Sequence, residues 1–474
     1  MNNARIVCGD GSSVTVDSEA LQQFKSSLRG ALLFPGDDGY DRARTVWNAM
    51  IDRHPALVVR CAGVADIQQA VGFARKYSLL TAIKGGGHNI AGNAVCEGGL
   101  LIDLSNMRSV RVDPVARVAH VEPGATLADF DHECQAFGLA TPVGINSTTG
   151  IAGLTLGAGF GWLSRKFGMT IDNLRAADVI TADGRLLHVN NKENDDLFWA
   201  IRGGSGNFGV VTRFEFKLHP VGPSVLAGLI VYALKDAAAA LRKYNLFCKK
   251  LRKETSVWTV LRKAPPLPFL PASVHGTEVV VFAFCHTGDP EKGMRVVKPL
   301  KKLGTVLGEH IGVMPYTAWQ QAFDPLLTPG ARNYWKSHNF TELSDGAIEV
   351  VLKYIAALPS PHCEIFFGLI GGETTRPAPD ATAYSHRNAL WVCNVHGRWE
   401  TAAEDAKCVD WARSYFREVT PFATGGVYVN FLTDDEPDRI KMAYGPGYDR
   451  LVAIKQKYDP QNLFRVNQNI RPKG

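Results

Sequence analysis

No stretch of this 474-residue chain approaches the roughly eighteen uninterrupted apolar residues that a membrane-crossing helix needs. The opening residues, "MNNARIVCGDGSSVTVDSE", lack a basic segment followed by an apolar core, and they lack twin arginines. A soluble, unexported, cytoplasmic protein is therefore expected, without a membrane partner. A cysteine framework is missing too. The nine cysteines, an odd number, are scattered from Cys8 to Cys408 without a C-x-x-C pair or a neighbouring histidine at ligand spacing. That pattern reads as reduced, buried thiols, and it predicts neither disulfides nor a metal site. Charge of one sign is scarce: the formal net charge is +6, and short clusters such as "CKKLRKE" and "KPLKK" read as solvated helix faces. No nucleic-acid partner is expected. Low-complexity segments and internal repeats are absent.

What is present is ordinary for a globular protein, with 46% hydrophobic and 21% charged residues. The length exceeds what one compact core usually holds, so two domains or one split domain are expected. "PALVVRC" (55 to 61), "VADIQQAVGFARKYS" and "LLTAIKG" read as strand, helix, strand. "GLLIDLS", "SVRVD" and "ARVAHVEP" are short β segments, and "ATLADFDHECQAFG" is a helix closed by glycine. "AADVITADGRLLHV" predicts a hairpin about Asp-Gly, followed by a helix in "NDDLFWAIRGG" and a strand in "GVVTRFEFKLHP". Proline and glycine punctuate "HPVGPS" (219 to 224), which divides an N-terminal unit, 1–218, from a second α+β unit, 219–418, and a tail, 419–474.

Glycine is concentrated in three separated places: 85 to 87, 144 to 161 and 203 to 209. The last contains "GSGNFG", which satisfies G-x-G-x-x-G, but a helix precedes it and a strand follows it. A Rossmann site needs the reverse order, so that a helix N-terminus meets the pyrophosphate. Consecutive glycine N–H groups form concavities for phosphate oxygens, and three such loops could cradle one extended diphosphate-bearing cofactor. Unrelated tight turns are the plainer reading.

"IKGGGHNIAGN", "GGLLIDLSNM", "VEPGATLADF", "GIAGLTLGAGFGWLSRKFGMTIDNL", "DDLFWAIRGGSGNFGVVT" and "YDPQNLFRVNQNI" stand in one order along nearly the whole chain. Together they resemble the FAD-linked oxidases of the vanillyl-alcohol oxidase superfamily, in the berberine-bridge-enzyme-like branch. The resemblance implies an α+β fold: a two-part, PCMH-type FAD-binding domain (1–218, completed by 419–474) and an α+β substrate domain (219–418) with an antiparallel sheet. It also implies that His88 is bonded covalently to the 8α-methyl carbon of FAD; a neutral imidazole is a competent nucleophile for that bond. A second link, from a cysteine, is not expected, because Asn146 occupies its position. Lys84 stands where relatives often carry arginine.

By the same resemblance Gly85, Gly86, Gly87, Asn89 and Gly92, the stretch Thr148, Thr149, Gly150 to Gly153, and the turn Gly204, Gly206, Asn207, Gly209 and Val210 would hold the diphosphate and flavin. Asn467 and Asn469 would close over the ring, beside Asn430. Asparagines are also common caps and turn formers.

The implied reaction is oxidation of a small alcohol, sugar, amine or secondary-metabolite intermediate. Hydride passes to flavin N5, and O2 then yields hydrogen peroxide. An alcohol needs a base within about 3 Å of its proton. Alternation in "ALWVCNVHGRWE" puts Asn394, His396 and Arg398 on one strand face, lining a pocket or facing water. Tyr428 could serve as base if a cation lowered its pKa, or it is a core tyrosine with a satisfied hydroxyl. Tyr384, His386 and Arg387 are further candidates. The alternative function is a flavin-fold binding protein or non-redox cyclase of secondary metabolism.

Overall fold

Short apolar runs build the first sheet of the computed structural model, which describes residues 2–473. Leu57–Arg60, Leu100–Asp103 and Thr81–Lys84 lie parallel, with Ala31–Leu33 antiparallel on the outer edge. Parallel strands covered on both faces need continuous apolar sequence, as Leu100, Leu101 and Ile102 provide. Helix Val64–Lys76 buries Ile67, Ala70, Val71 and Ala74 between the first two strands of the expected strand, helix, strand unit. Leu100–Asp103 inserts between those strands, a placement no local pattern carries.

The second sheet is antiparallel in the order Leu186–Asn190, Leu174–Ile180, Val210–Lys217, Val118–Val121, Val110–Asp113. Its first two strands form the hairpin expected about Asp-Gly, and Gly184 takes φ +85° in the turn. Helix Leu127–Gln135 opens on a reciprocal capping box between Thr126 and Asp129. The glycine-rich stretch 141 to 161 contains the short helix Ile151–Leu156. Glycine disfavours helix locally, but the backbone here is fixed from outside: Leu127 N donates to Thr149 O at 2.9 Å and Ile151 N to Ala125 O at 2.9 Å.

A seven-stranded antiparallel sheet spans 224 to 399, in the order Val306–Pro315, Ser224–Ala233, Glu278–His286, Thr255–Lys263, Glu364–Leu369, Trp391–Trp399, Arg332–Phe340. Helices Ala237–Lys250, Asp345–Ile355 and Asp405–Val419 bring Leu241, Tyr244, Ile348, Val351, Trp411 and Tyr415 into the core beneath it. Cys393 points to that layer, its Sγ 3.4 Å from Tyr415 Oη. Alternation therefore turns Asn394 and His396 the other way, and since every residue of Trp391–Trp399 is buried, that polar face does not meet open water. No described helix is long and apolar enough to cross a membrane.

Candidate functional site

The uncovered face of the seven-stranded sheet closes over the glycine loops to leave a cavity of about 370 Å³. Residues paired across neighbouring strands form rows on that face. One row runs Trp335, His396, Glu364, Arg262, Val279; the next runs Asn394, Phe366, Val260, Val281, Val231. All ten line the cavity. Three adjacent polar groups in the first row, with Asn394 beside them in the second, thus interrupt an otherwise apolar surface.

These groups are bonded to one another. Arg262 Nη1 donates to Glu364 Oε2 at 2.7 Å, and His396 Nδ1 stands 3.4 Å from Glu364 Oε1. His396 Nε2 is 3.1 Å from Asn333 Oδ1. Burial opposes the Glu364 charge, but Arg262 and His396 outweigh it and hold the carboxyl below its ordinary 4.5. Burial depresses the His396 pKa despite the neighbouring carboxylate. The cluster is therefore an ionised Glu364, paired to Arg262 and flanked by a neutral imidazole. Asn394, one row away, is buried with neither amide atom partnered.

On the opposite wall, His88 follows Gly87, which takes φ +71° at the end of strand Thr81–Lys84. Its Nε2 lies 3.0 Å from Thr148 Oγ1 and its Nδ1 3.4 Å from Thr149 Oγ1, while the ring stacks on Trp47 at 5.1 Å. Burial pushes its pKa down to about 3, so the imidazole is neutral. Gly86 and Gly150 are needed by each other, since a side chain on either would collide with the other's backbone. Gly153 and Gly206 are different. Both line the cavity, and beyond their own local backbone nothing in the described structure lies within 4 Å of where a Cβ would stand. Beside them Ser205 Oγ and Asn467 Oδ1 are buried without partners. Open glycine faces next to orphaned polar atoms are a cradle for a ligand with polar atoms of its own.

Of the positions expected from the sequence, Gly85, Gly86, Gly87, His88, Asn89, Asn146, Thr149, Gly150, Gly153, Gly206, Gly209, Val210, Asn394, His396, Tyr428, Asn430 and Asn467 come together around this cavity. Six stand outside its lining, each for a physical reason where one is visible. Lys84 alternates away from Ile83 and turns its Nζ to the carbonyls of Ala43 and Thr45 and to Asp103. Gly92 makes a turn at φ +76° against Ile51. Thr148 acts through the His88 ring. Gly204 packs against the Ala200 carbonyl. Asn207 is a buried strut, donating to Gly204 O at 2.9 Å and accepting from Ile470 N at 2.9 Å. Asn469 lies beyond Gln468, which does line the cavity, and its Oδ1 is buried without a partner.

Tyr428 differs from a base in waiting. Its hydroxyl oxygen accepts from Gly159 N at 3.0 Å and Asn430 Nδ2 at 3.1 Å, and burial raises its pKa to about 12. It is a neutral group whose own proton is free to be donated. Arg398 leaves the cavity to bind Thr328 O at 2.6 Å, and Arg387 is clamped by the Asp172 carboxylate at 2.8 Å. His386 binds the carbonyls of Met442 and Ala443, and Tyr384 is buried with an unpartnered hydroxyl.

Arg262 and Glu364 are not among the positions expected from the sequence. Their signal was present: "SVWTVLRK" and "EIFFGL" each put one charge in phase with apolar residues on one strand face, Trp258 and Val260 for Arg262 and Phe366 for Glu364.

An FAD binding domain model matches residues 55–190, and a "Berberine and berberine like" model matches 427–471. An FAD-linked oxidoreductase of Dictyostelium discoideum is 31% identical over 458 residues, covering 96% of this chain and 97% of that protein. A carbohydrate oxidase of Microdochium nivale is 27% identical, covering 96% of this chain and 95% of its own length. The crystal structure of 6-hydroxy-D-nicotine oxidase from Arthrobacter nicotinovorans superposes with a TM-score of 0.85 at 26% identity, covering 94% of this chain and 99% of that one.

Proposed function

Because the chain belongs to the berberine-bridge-enzyme-like FAD-linked oxidoreductases, we propose that it oxidises a small organic molecule at a CH–OH or CH–NH group, using FAD attached through His88. The residues present fit the cofactor: Gly153 and Gly206 leave open faces, with Ser205 and Asn467 as orphaned polar atoms beside them. The chemistry FAD supplies when bound is acceptance of hydride from a substrate carbon at N5 and delivery of the electrons to O2 as hydrogen peroxide.

The observation that carries this reading is an ionised carboxylate and a neutral imidazole facing each other across one cavity. His88, deprived of charge by burial, keeps a nucleophilic ring nitrogen at any working pH. Thr148 and Thr149 fix its ring plane through their hydroxyls. Glu364 accepts the substrate's hydroxyl or amine proton at Oε1, while Arg262 keeps the carboxyl charged through Oε2. Asn394 binds the substrate's polar group through its unpartnered amide. Tyr428, neutral and receiving two N–H donors, presents its proton to the ligand instead of removing one.

In this reading residues 1–218 and 419–474 form the flavin-binding part and 219–418 the substrate part. The bond from Ile470 N to Asn207 Oδ1 supports joining the first two.

The test is acid precipitation of the purified holoenzyme. Yellow colour should stay with the pellet and the intact mass should carry one FAD; His88→Ala should release the colour to the supernatant. A wild-type pellet that is colourless while the supernatant is yellow ends the covalent reading. A protein that binds no FAD at all ends the whole of it.

A further inference from the structure

Resting on that oxidase reading, we propose that the substrate is an extended amphipath: an alcohol or amine whose aliphatic tail lies in a dry arm of the cavity over strands Thr255–Lys263, Glu278–His286 and Ser224–Ala233. The cavity does not stop at Arg262. It continues past it and is lined there by Leu229, Val231, Val279, Val281, Leu267 and Leu270. Leu229 and Val281 sit on inner strands of the sheet yet remain half-buried. The surface they leave open therefore faces the cavity. Apolar surface of this kind, enclosed and uncovered, gains free energy from an apolar occupant.

The chemistry of the two ends differs. At the near end, Arg262 and Glu364 neutralise each other at 2.7 Å and His396 carries no charge. The acceptor that end presents is the ionised Glu364 carboxylate, which suits a hydroxyl or an alkylammonium better than a carboxylate or phosphate. At the far end a sugar would leave its hydroxyls unpaired against valine and leucine, at the penalty of buried unsatisfied polar groups. Three strand spacings separate Glu364 from the strand of Val231, about 14 Å, which is the length of a decyl-sized chain.

The experiment uses the holoenzyme with unbranched primary alkanols and alkylamines from butyl to decyl, with glucose and cellobiose as the competing class. Two signals are followed: anaerobic bleaching of the flavin, and quenching of the cavity tryptophans Trp47, Trp162, Trp258 and Trp335. The half-saturating concentration should fall roughly fourfold per added methylene and level off near decyl. Val281→Trp should make the series level off at a shorter chain, and Leu267→Ser, in the covering loop, should reduce the dependence per methylene. A half-saturating concentration independent of chain length, or a sugar that binds more tightly and bleaches faster than every amphipath, overturns the tail assignment and leaves the oxidase reading standing. Length-dependent quenching without bleaching by any compound supports the arm and removes the oxidase reading.

Discussion

At the scale of single residues, the site's proton chemistry depends on what surrounds Glu364. A buried carboxylate alone would take up a proton, but Arg262 and His396 keep this one charged below its ordinary 4.5. A base works only in its deprotonated form, so activity should hold as pH falls through the mildly acidic range and decline only below the usual carboxylate pKa. Glu364→Gln keeps the shape and removes the base. Its anaerobic flavin bleaching should slow by about 10² to 10⁴-fold, while the yellow colour of the purified protein is retained. A variant that bleaches at the wild-type rate would remove Glu364 from the mechanism. Such assignments were only partly legible in the sequence. His88 was marked by its glycine neighbours, and Asn394 and His396 by strand alternation. Glu364 and Arg262 were not singled out, because one charge in an apolar strand acquires meaning only when register sets it opposite its partner. For Tyr428 the sequence leaves open a base activated by a cation or a core tyrosine with a satisfied hydroxyl; no cation meets it, and burial outweighs the lowering effect of its two N–H donors, so the phenol stays protonated.

At the scale of elements, local pattern gave the hairpin about Gly184, the Val64–Lys76 helix and the reversed order around Gly204 to Gly209, because each is fixed by neighbours in sequence. The helix Ile151–Leu156 was not legible, since its backbone is held by residues 125 to 127. Helix packing also carries a titration that no local pattern announces. Helix Leu127–Gln135 meets Tyr316–Gln320 through Asp131, whose Oδ2 accepts from Gln320 Nε2 at 3.0 Å and whose Oδ1 has no partner. Burial raises this carboxyl from 3.8 to about 7. The folded state therefore binds a proton more tightly than the unfolded chain, and stability falls as pH rises from about 4 through about 7. Above that window the protein carries a penalty of up to about 4 kcal/mol. Asp131→Asn removes the ionisation, and its amide oxygen can still accept from Gln320 Nε2, which also donates to Gly144 O at 3.1 Å. Thermal melts should show little change near pH 4 and a raised Tm at pH 8. Equal shifts at both pH values would contradict a buried titration.

At the scale of the whole molecule, the chain's last turn completes what its first half begins. Lys455, fully buried, donates from Nζ to Asn207 O at 2.7 Å, Asp459 Oδ2 at 2.7 Å and Phe464 O at 2.9 Å, which uses all three ammonium donors. Asp459 in turn accepts from Leu463 N at 2.7 Å and Phe464 N at 2.9 Å. This pair ties the turn "DPQNLF" to the glycine loop, and a few residues later Asn467 and Gln468 reach the cavity. The sequence showed the turn and its motif; the tie spans about half the chain and could be read only through the order of motifs. Removing one member leaves the other as a buried, uncompensated charge, which typically costs about 3 to 5 kcal/mol. Lys455→Met should accordingly lower Tm and reduce the fraction of chains that carry flavin after purification, because the segment bearing Asn467 loses its anchor before the cofactor is attached. Removing both charges, as Lys455→Met with Asp459→Asn, should recover part of the Tm, since the amide can still accept from Leu463 N. If the single variant melts as the wild type does and carries the same flavin-to-protein ratio, the C-terminal segment is held by its apolar contacts, and the ion pair has no part in closing the site.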